Sequence, residues 1–218
     1  SYKEKDRLYL PVYRVGQLQK YAGASATMAL DKLGGTGWEK TKAKVRSHLK
    51  DVAHDLLQLY AKRAEIHRPS FQLPQADLAK FENAFPYAET DDQNRAIEDL
   101  TKDLTSTKPM DRLICGDVGF GKTEVAMRAA FIAVQNNKQV AILAPTTVLT
   151  FQHVETFKKR FAGWPINIEV LNRFVGPAES KKTIEGTKNG RVNILIGTHR
   201  LLSKDVIFNN LGLLIIDE

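Results

Sequence analysis

Gly116-Asp117-Val118-Gly119-Phe120-Gly121-Lys122-Thr123 fits the pattern G-x-x-x-x-G-K-[ST] at every position, directly after an apolar run ending at Cys115 and directly before a helical run from Glu124. Glycines let the backbone curl until successive N–H groups point inward at a phosphate, and the dipole of the following helix favours the same anion. The expected chemistry is a nucleotide cradle. Gly116, Gly119, Gly121 and Glu124 contact the nucleotide, Lys122 reaches the β- and γ-phosphate oxygens, and the Thr123 hydroxyl ligates magnesium. A second constellation, Leu213-Leu214-Ile215-Ile216-Asp217-Glu218, is an apolar strand ending in two acids. Carboxylates so placed stand at the carboxyl edge of a sheet, where open α/β proteins bind ligands. Asp217 is expected to hold magnesium through water, and Glu218 to orient or deprotonate an attacking water.

Two further turns follow apolar runs: Ala144-Pro145-Thr146-Thr147 and Gly197-Thr198-His199-Arg200. Both are small and polar. Hydroxyls and helix N-terminal amides at such turns can hold a nucleic-acid backbone without a basic patch, although each taken singly also reads as an ordinary turn. His199 belongs to no metal-ligand spacing.

The elements that must position these residues are legible from Met110 onward. Short β-branched runs at Arg112–Cys115, Gln139–Ala144, Ile166–Leu171, Val192–Ile196 and Leu211–Ile216 alternate with helical stretches. Near-continuous hydrophobicity is what strands covered on both faces require, and the helices supply the crossovers of a parallel sheet. The expected fold is α/β, an open parallel sheet flanked by helices. Upstream, Gln75 to Phe85 reads as a short helix, and another begins near Thr90 or Asp91. Thr36 and Glu39 have capping-box spacing, and Val45, Leu49, Val52, Leu56, Leu59 and Ile66 recur at steps of three and four. These predict a helix of roughly 30 residues ending before Pro69. Its outer face is basic, which suits either a solvated scaffold helix or a nucleic-acid-binding one. Leu8 to Val12 reads as a short strand at a sheet edge, because Pro11 lies inside it. The chain thus divides at residues 1–70 and 71–218.

The net charge of +7 resides wholly in the first part, where 14 Lys+Arg face 7 Asp+Glu, while residues 71–218 hold 18 of each. The single cysteine, Cys115, excludes an internal disulfide and suits a buried thiol in a reducing compartment. No apolar stretch has the length of a membrane span. A cytoplasmic protein without membrane partners is expected.

Together the motifs resemble those of superfamily-two helicases and translocases. Phe85 to Gln93 is similar to the family's Q-type adenine-recognition element, Pro145-Thr146-Thr147 to its motif Ia, Gly197-Thr198-His199 to the DNA-contact motif that follows, and Asp217-Glu218 to the start of its Walker B box. Within that group, the run from Gly116 to Ala130, with Phe120 where RecG-type helicases generally carry serine, resembles the bacterial transcription-repair coupling factors. So do Leu8 to Val12, Leu33-Gly34-Gly35 with Trp38, and Leu56 to Ala64. The resemblance implies a RecA-like motor lobe that binds ATP and Mg2+, with Phe85 and Gln93 at the base and Thr146, Thr147, Arg173, Thr198, His199 and Arg200 on double-stranded DNA. It further implies a translocase that displaces stalled RNA polymerase and brings in the excision-repair damage-recognition subunit. On this expectation residues 1–70 are the end of a polymerase-interacting module with its connecting helix. The chain would be a piece of that machine, cut after Walker B, that binds nucleotide but hydrolyses it poorly alone. A RecG-like or replication-restart helicase lobe and a module that docks RNA polymerase are the competing readings.

Overall fold

The computed structural model describes residues 9–17, 36–117 and 119–217, so the expectations for Leu8, Leu33 to Gly35, Val118 and Glu218 lie outside the described residues. Two compact units divide at Glu65/Ile66.

In the first unit, α1 (Gly37–Glu65) is 29 residues long and contains no buried residue. It matches the helix expected from the apolar steps, and its Glu39 carboxylate pairs with Lys42 at 2.8 Å. The strand expected over Leu8–Val12 is not formed among the described residues. The segment turns into a 3-10 helix at Val12–Gln17, and the Arg14 amide donates to the Pro11 carbonyl at 2.9 Å. A turn closed by its own backbone satisfies donors that a strand without a partner would leave open.

In the second unit, α2 (Gln75–Asn83) and α3 (Asp91–Thr105) precede α4 (Lys122–Gln135), and then β1 (Gln139–Leu143), α5 (Thr147–Arg160), β2 (Ile168–Leu171), α6 (Pro177–Lys188), β3 (Ile194–Gly197) and β4 (Leu211–Ile216) follow. The sheet order is β2-β3-β1-β4, with every pairing parallel. Side chains alternate across it. Val140, Ile142, Ile194 and Ile196 join the large core with Phe81, Phe131 and Phe157, while Leu195 joins Leu171, Val192 and Leu201 in a second cluster. That period of two is the signature of a sheet covered on both faces.

Residues 66–71 run along the end of α3. Arg68 donates through Nη2 to the Asp103 and Leu104 carbonyls at 2.9 and 2.8 Å and through Nε to that of Lys108 at 3.2 Å. It thereby satisfies carbonyls that a helix C-terminus leaves without partners. Gln139 is buried at the start of β1. Its Nε2 donates to the Thr187 and Val192 carbonyls, and its Oε1 accepts from the Asn209 and Asn210 amides.

Five strands were expected and four are present among the described residues. Arg112–Cys115 forms no strand there, with Leu113 85% exposed and Cys115 exposed, not buried. It borders a cavity of about 320 Å³ whose other wall is β4. The expected two-sided cover also fails at β4, where Leu211, Leu214 and Ile216 are exposed. No described helix is long and apolar enough to cross a membrane.

Candidate functional site

The loop before α4 is bent where its glycines allow. Gly119 and Gly121 have φ of 85° and 70°, a region that a side chain disfavours. A Cβ on Gly121 would also collide with the Gln93 amide. Gly121 caps α4 without any side-chain hydrogen bond, whereas Thr90 and Thr146 cap α3 and α5 through their hydroxyls. The Glu124 amide donates to the Gly121 carbonyl at 2.9 Å, which leaves the Lys122 and Thr123 amides at the start of α4 for an anion. Lys122 Nζ donates to the carbonyls of Gly116 at 2.6 Å and Asp117 at 3.0 Å, closing the loop on its own ammonium. A bound phosphate would exchange those two bonds for ones to its oxygens.

Beside the loop lies a cavity of about 570 Å³, bordered by Phe85, Tyr87, Gln93, Phe120 and Met127. Phe85 and Tyr87 meet edge to face at 5.5 Å. Flat apolar walls with one amide suit an aromatic base. The Gln93 amide is already committed at both ends. Its Oε1 accepts from the Thr90 amide and its Nε2 donates to the Phe120 carbonyl, both at 2.9 Å. Gln93 thus completes a capping box for α3 and ties that helix to the loop.

Glu124, expected on the nucleotide, is 5% exposed and its carboxylate is taken. Arg128 binds it at 3.2 Å and Arg160 at 2.7 and 3.0 Å. Arg128 extends the network to Glu82 and Glu89. Arg160 lies 3.8 Å over the Phe81 ring and 5.6 Å from that of Phe85. Glu89 is held below the ordinary carboxylate range by its own backbone amide and then by Arg128. Buried ions are tolerable only when so fully paired. Neither Arg128 nor Arg160 is singled out by the sequence reading; for Arg128 the available signal was a charge inside an otherwise apolar helix, whereas Arg160 ends α5 after Lys158 and Lys159 and offered none.

Because all four strands run parallel, every residue that follows a strand emerges at one sheet edge. Thr146 and Thr147 follow β1, Arg173 follows β2, Thr198 to Arg200 follow β3, and Asp217 follows β4. Their accessibility differs. Thr146, Arg173 and His199 are exposed and Thr147 half-buried, but Thr198 is 5% exposed, which removes its side chain from a surface contact. Arg200 is occupied by both oxygens of Asp205 at 2.7 and 2.6 Å, and that pairing raises its pKa and lowers that of Asp205. Behind this edge a buried chain runs from the Asn172 amide to Thr150 Oγ1 at 2.9 Å and from that hydroxyl to the Thr147 carbonyl at 2.6 Å. It fixes the turn after β2 against the first turn of α5.

Asp217 extends the sheet by donating its amide to the Leu143 carbonyl at 2.9 Å. Lys122, Thr123, His153 and Asp217 border one cavity. A hydroxyl and a carboxylate are the hard oxygen donors magnesium prefers, and that ion keeps several waters. Among the described residues no group of three or more His, Cys, Asp or Glu is placed to hold a metal. His153 lies 2.6 Å from Asp217 and carried no sequence signal, since the contact depends on β4 lying beside β1.

Residues 90–218 match the DEAD/DEAH box helicase family. Across the whole chain, identity is 53% over 218 residues to the transcription-repair-coupling factor of Bacillus subtilis (strain 168) and 49% over 219 residues to that of Haemophilus influenzae (strain ATCC 51907 / DSM 11121 / KW20 / Rd). The chain spans 18% and 19% of those relatives. A solved structure of RecG bound to a three-way DNA junction superposes with a TM-score of 0.70 at 35% identity, covering 74% of this chain and 22% of that one. Loop, parallel sheet and sequence agree: the chain belongs to the DEAD/DEAH box helicase family.

Proposed function

We propose that this chain is the nucleotide-binding part of an ATP-dependent double-stranded DNA translocase of the transcription-repair coupling kind. The observation that carries the reading is the convergence of Lys122, Thr123 and Asp217 on one cavity beside a glycine-bent loop. In this reading the loop and Lys122 hold the phosphates, Thr123 and Asp217 hold Mg2+, Phe85 and Gln93 frame the adenine, and Glu218 serves the attacking water. The metal supplies charge neutralisation across the phosphate oxygens. Thr146, Thr147, Arg173 and His199 line the DNA edge; Thr198 contributes there through its backbone. Residues 71–218 form the motor lobe, and residues 1–70 the end of a polymerase-interacting module with its connecting helix. The whole protein acts in the cytoplasm, displaces stalled RNA polymerase and recruits the excision-repair damage-recognition subunit. The identities of 49% to 53% over the full chain favour this over a RecG-like lobe at 35%.

By itself the chain binds nucleotide without efficient turnover. Transition-state charge in P-loop motors is offset by a supplied arginine worth roughly 10³ to 10⁵ in rate; here Arg112, which borders the same cavity, is paired with Asp99 and Asp103, and Arg128 and Arg160 are buried in carboxylate pairs. Melting the chain with and without millimolar ATP and Mg2+, beside Lys122→Ala, tests the reading. Wild type should gain several degrees and the variant none. A wild type that gains nothing overturns nucleotide binding, and brisk ATP turnover by this chain overturns its dependence on further parts.

A further inference from the structure

The contact between His153 and Asp217 is unused by the reading above. His153 sits two turns into α5, with its side chain 14% exposed, and its Nε2 lies 2.6 Å from Asp217 Oδ2. An ionised carboxylate only accepts, so Nε2 carries the proton. The imidazole is itself restrained, edge on to the Phe157 ring at 6.5 Å. Phe157 is 1% exposed. Asp217 is thus gripped twice: its backbone by β1 through Leu143, and its carboxylate by α5. Among the described residues nothing else bonds that carboxylate, and Oδ1 stays uncommitted.

A carboxylate at the end of a strand otherwise turns freely about its side-chain torsions, and a rotating ligand binds a metal at an entropic cost. One hydrogen bond to Oδ2 removes that freedom without neutralising the charge. Metal-site carboxylates are oriented this way by groups that never touch the ion. We infer that His153 is a positioning residue for Asp217, donating Nε2–H to Oδ2 so that Oδ1 is the oxygen presented to the Mg2+-nucleotide. The inference rests on the proposed nucleotide site. It makes α5, whose first turn carries Thr146 and Thr147, the element that also holds the metal-binding acid.

The test measures binding of a fluorescent ADP to the 218-residue chain in MgCl2 and again in EDTA, for wild type, His153→Leu and His153→Gln. The ratio of the two affinities isolates the metal's contribution. His153→Leu should lose about 10-fold of that ratio while its EDTA affinity stays within about twofold, and His153→Gln, which keeps an amide donor, should restore most of it. A Leu variant with the wild-type ratio overturns the inference, as does one that loses affinity equally in both buffers. If the Leu variant fails to fold, a folded Gln variant decides: retention of the ratio supports the role and its loss overturns it. Wild type that binds in EDTA with no gain from Mg2+ sinks the positioning role but spares the phosphate loop, whereas wild type that binds in neither buffer sinks both.

Discussion

Two helices of this chain teach opposite lessons about apolar pattern. α1 repeats its apolar residues at helical spacing over 29 residues and buries none, leaving Leu49 61% and Leu56 49% exposed. α4 has half that length and buries nine residues, two of them the ions Glu124 and Arg128. Period identifies α1, whereas α4 follows the phosphate loop and is buried without a break from Met127 to Ala133. Period does not say whether anything covers the stripe. Burial is a tertiary property, and in α4 it is shared by β1, β4, α2 and α3, which all pack against it.

That contrast is sharpest at Phe131, fully buried and stacked on Phe81 at 4.3 Å. Phe131→Ala should cost the α/β unit about 3 to 5 kcal/mol in denaturant unfolding, and a much smaller loss would mean that α4 is not the packed element described. Next comes the charge inside it. Arg128→Met should cost about 3 kcal/mol by stranding carboxylates, and adding Glu124→Gln and Glu89→Gln should recover part of the loss. Failure of that recovery in melting experiments would assign the cost to packing instead of charge.

Acid provides a milder probe of the same network. Glu89 has a depressed pKa in the fold, so its contribution is complete above the ordinary carboxylate range and disappears as pH falls through the lowered value. Glu89→Gln should therefore melt below wild type at pH 7, by about 1 to 2 kcal/mol for a charged hydrogen bond, with the two curves converging on acidification. A gap that persists at low pH would contradict the assignment. The smallest effect belongs to α1: Leu56→Ser should change unfolding of the α/β unit by less than about 0.5 kcal/mol, and a larger loss would erase the distinction between the helices.

The sheet class, the phosphate loop and the helix start at Thr90 were readable because each depends on neighbours within a few residues. Gly121 and Lys122 announce their turn locally. What depended on distant partners was not readable. Arg112–Cys115 has the composition of the true strands, yet no strand among the described residues pairs with it, and Leu8–Val12 failed for a similar reason. Gln93 drew attention for a base, while its bonds to Thr90 and Phe120 serve the α3 cap and the loop. His153 became visible only when strand order set β4 against β1.

Gln139 carries a warning for mutational scans. Its amide nitrogen faces two carbonyls and its oxygen faces two amides, so Gln139→Glu, nearly identical in size, would aim a carboxylate oxygen at the carbonyls of Thr187 and Val192. Few changes of a single atom should be so poorly tolerated. A screen for lost activity would therefore rank this position beside Lys122, although Gln139 starts its strand at the end remote from every candidate ligand residue.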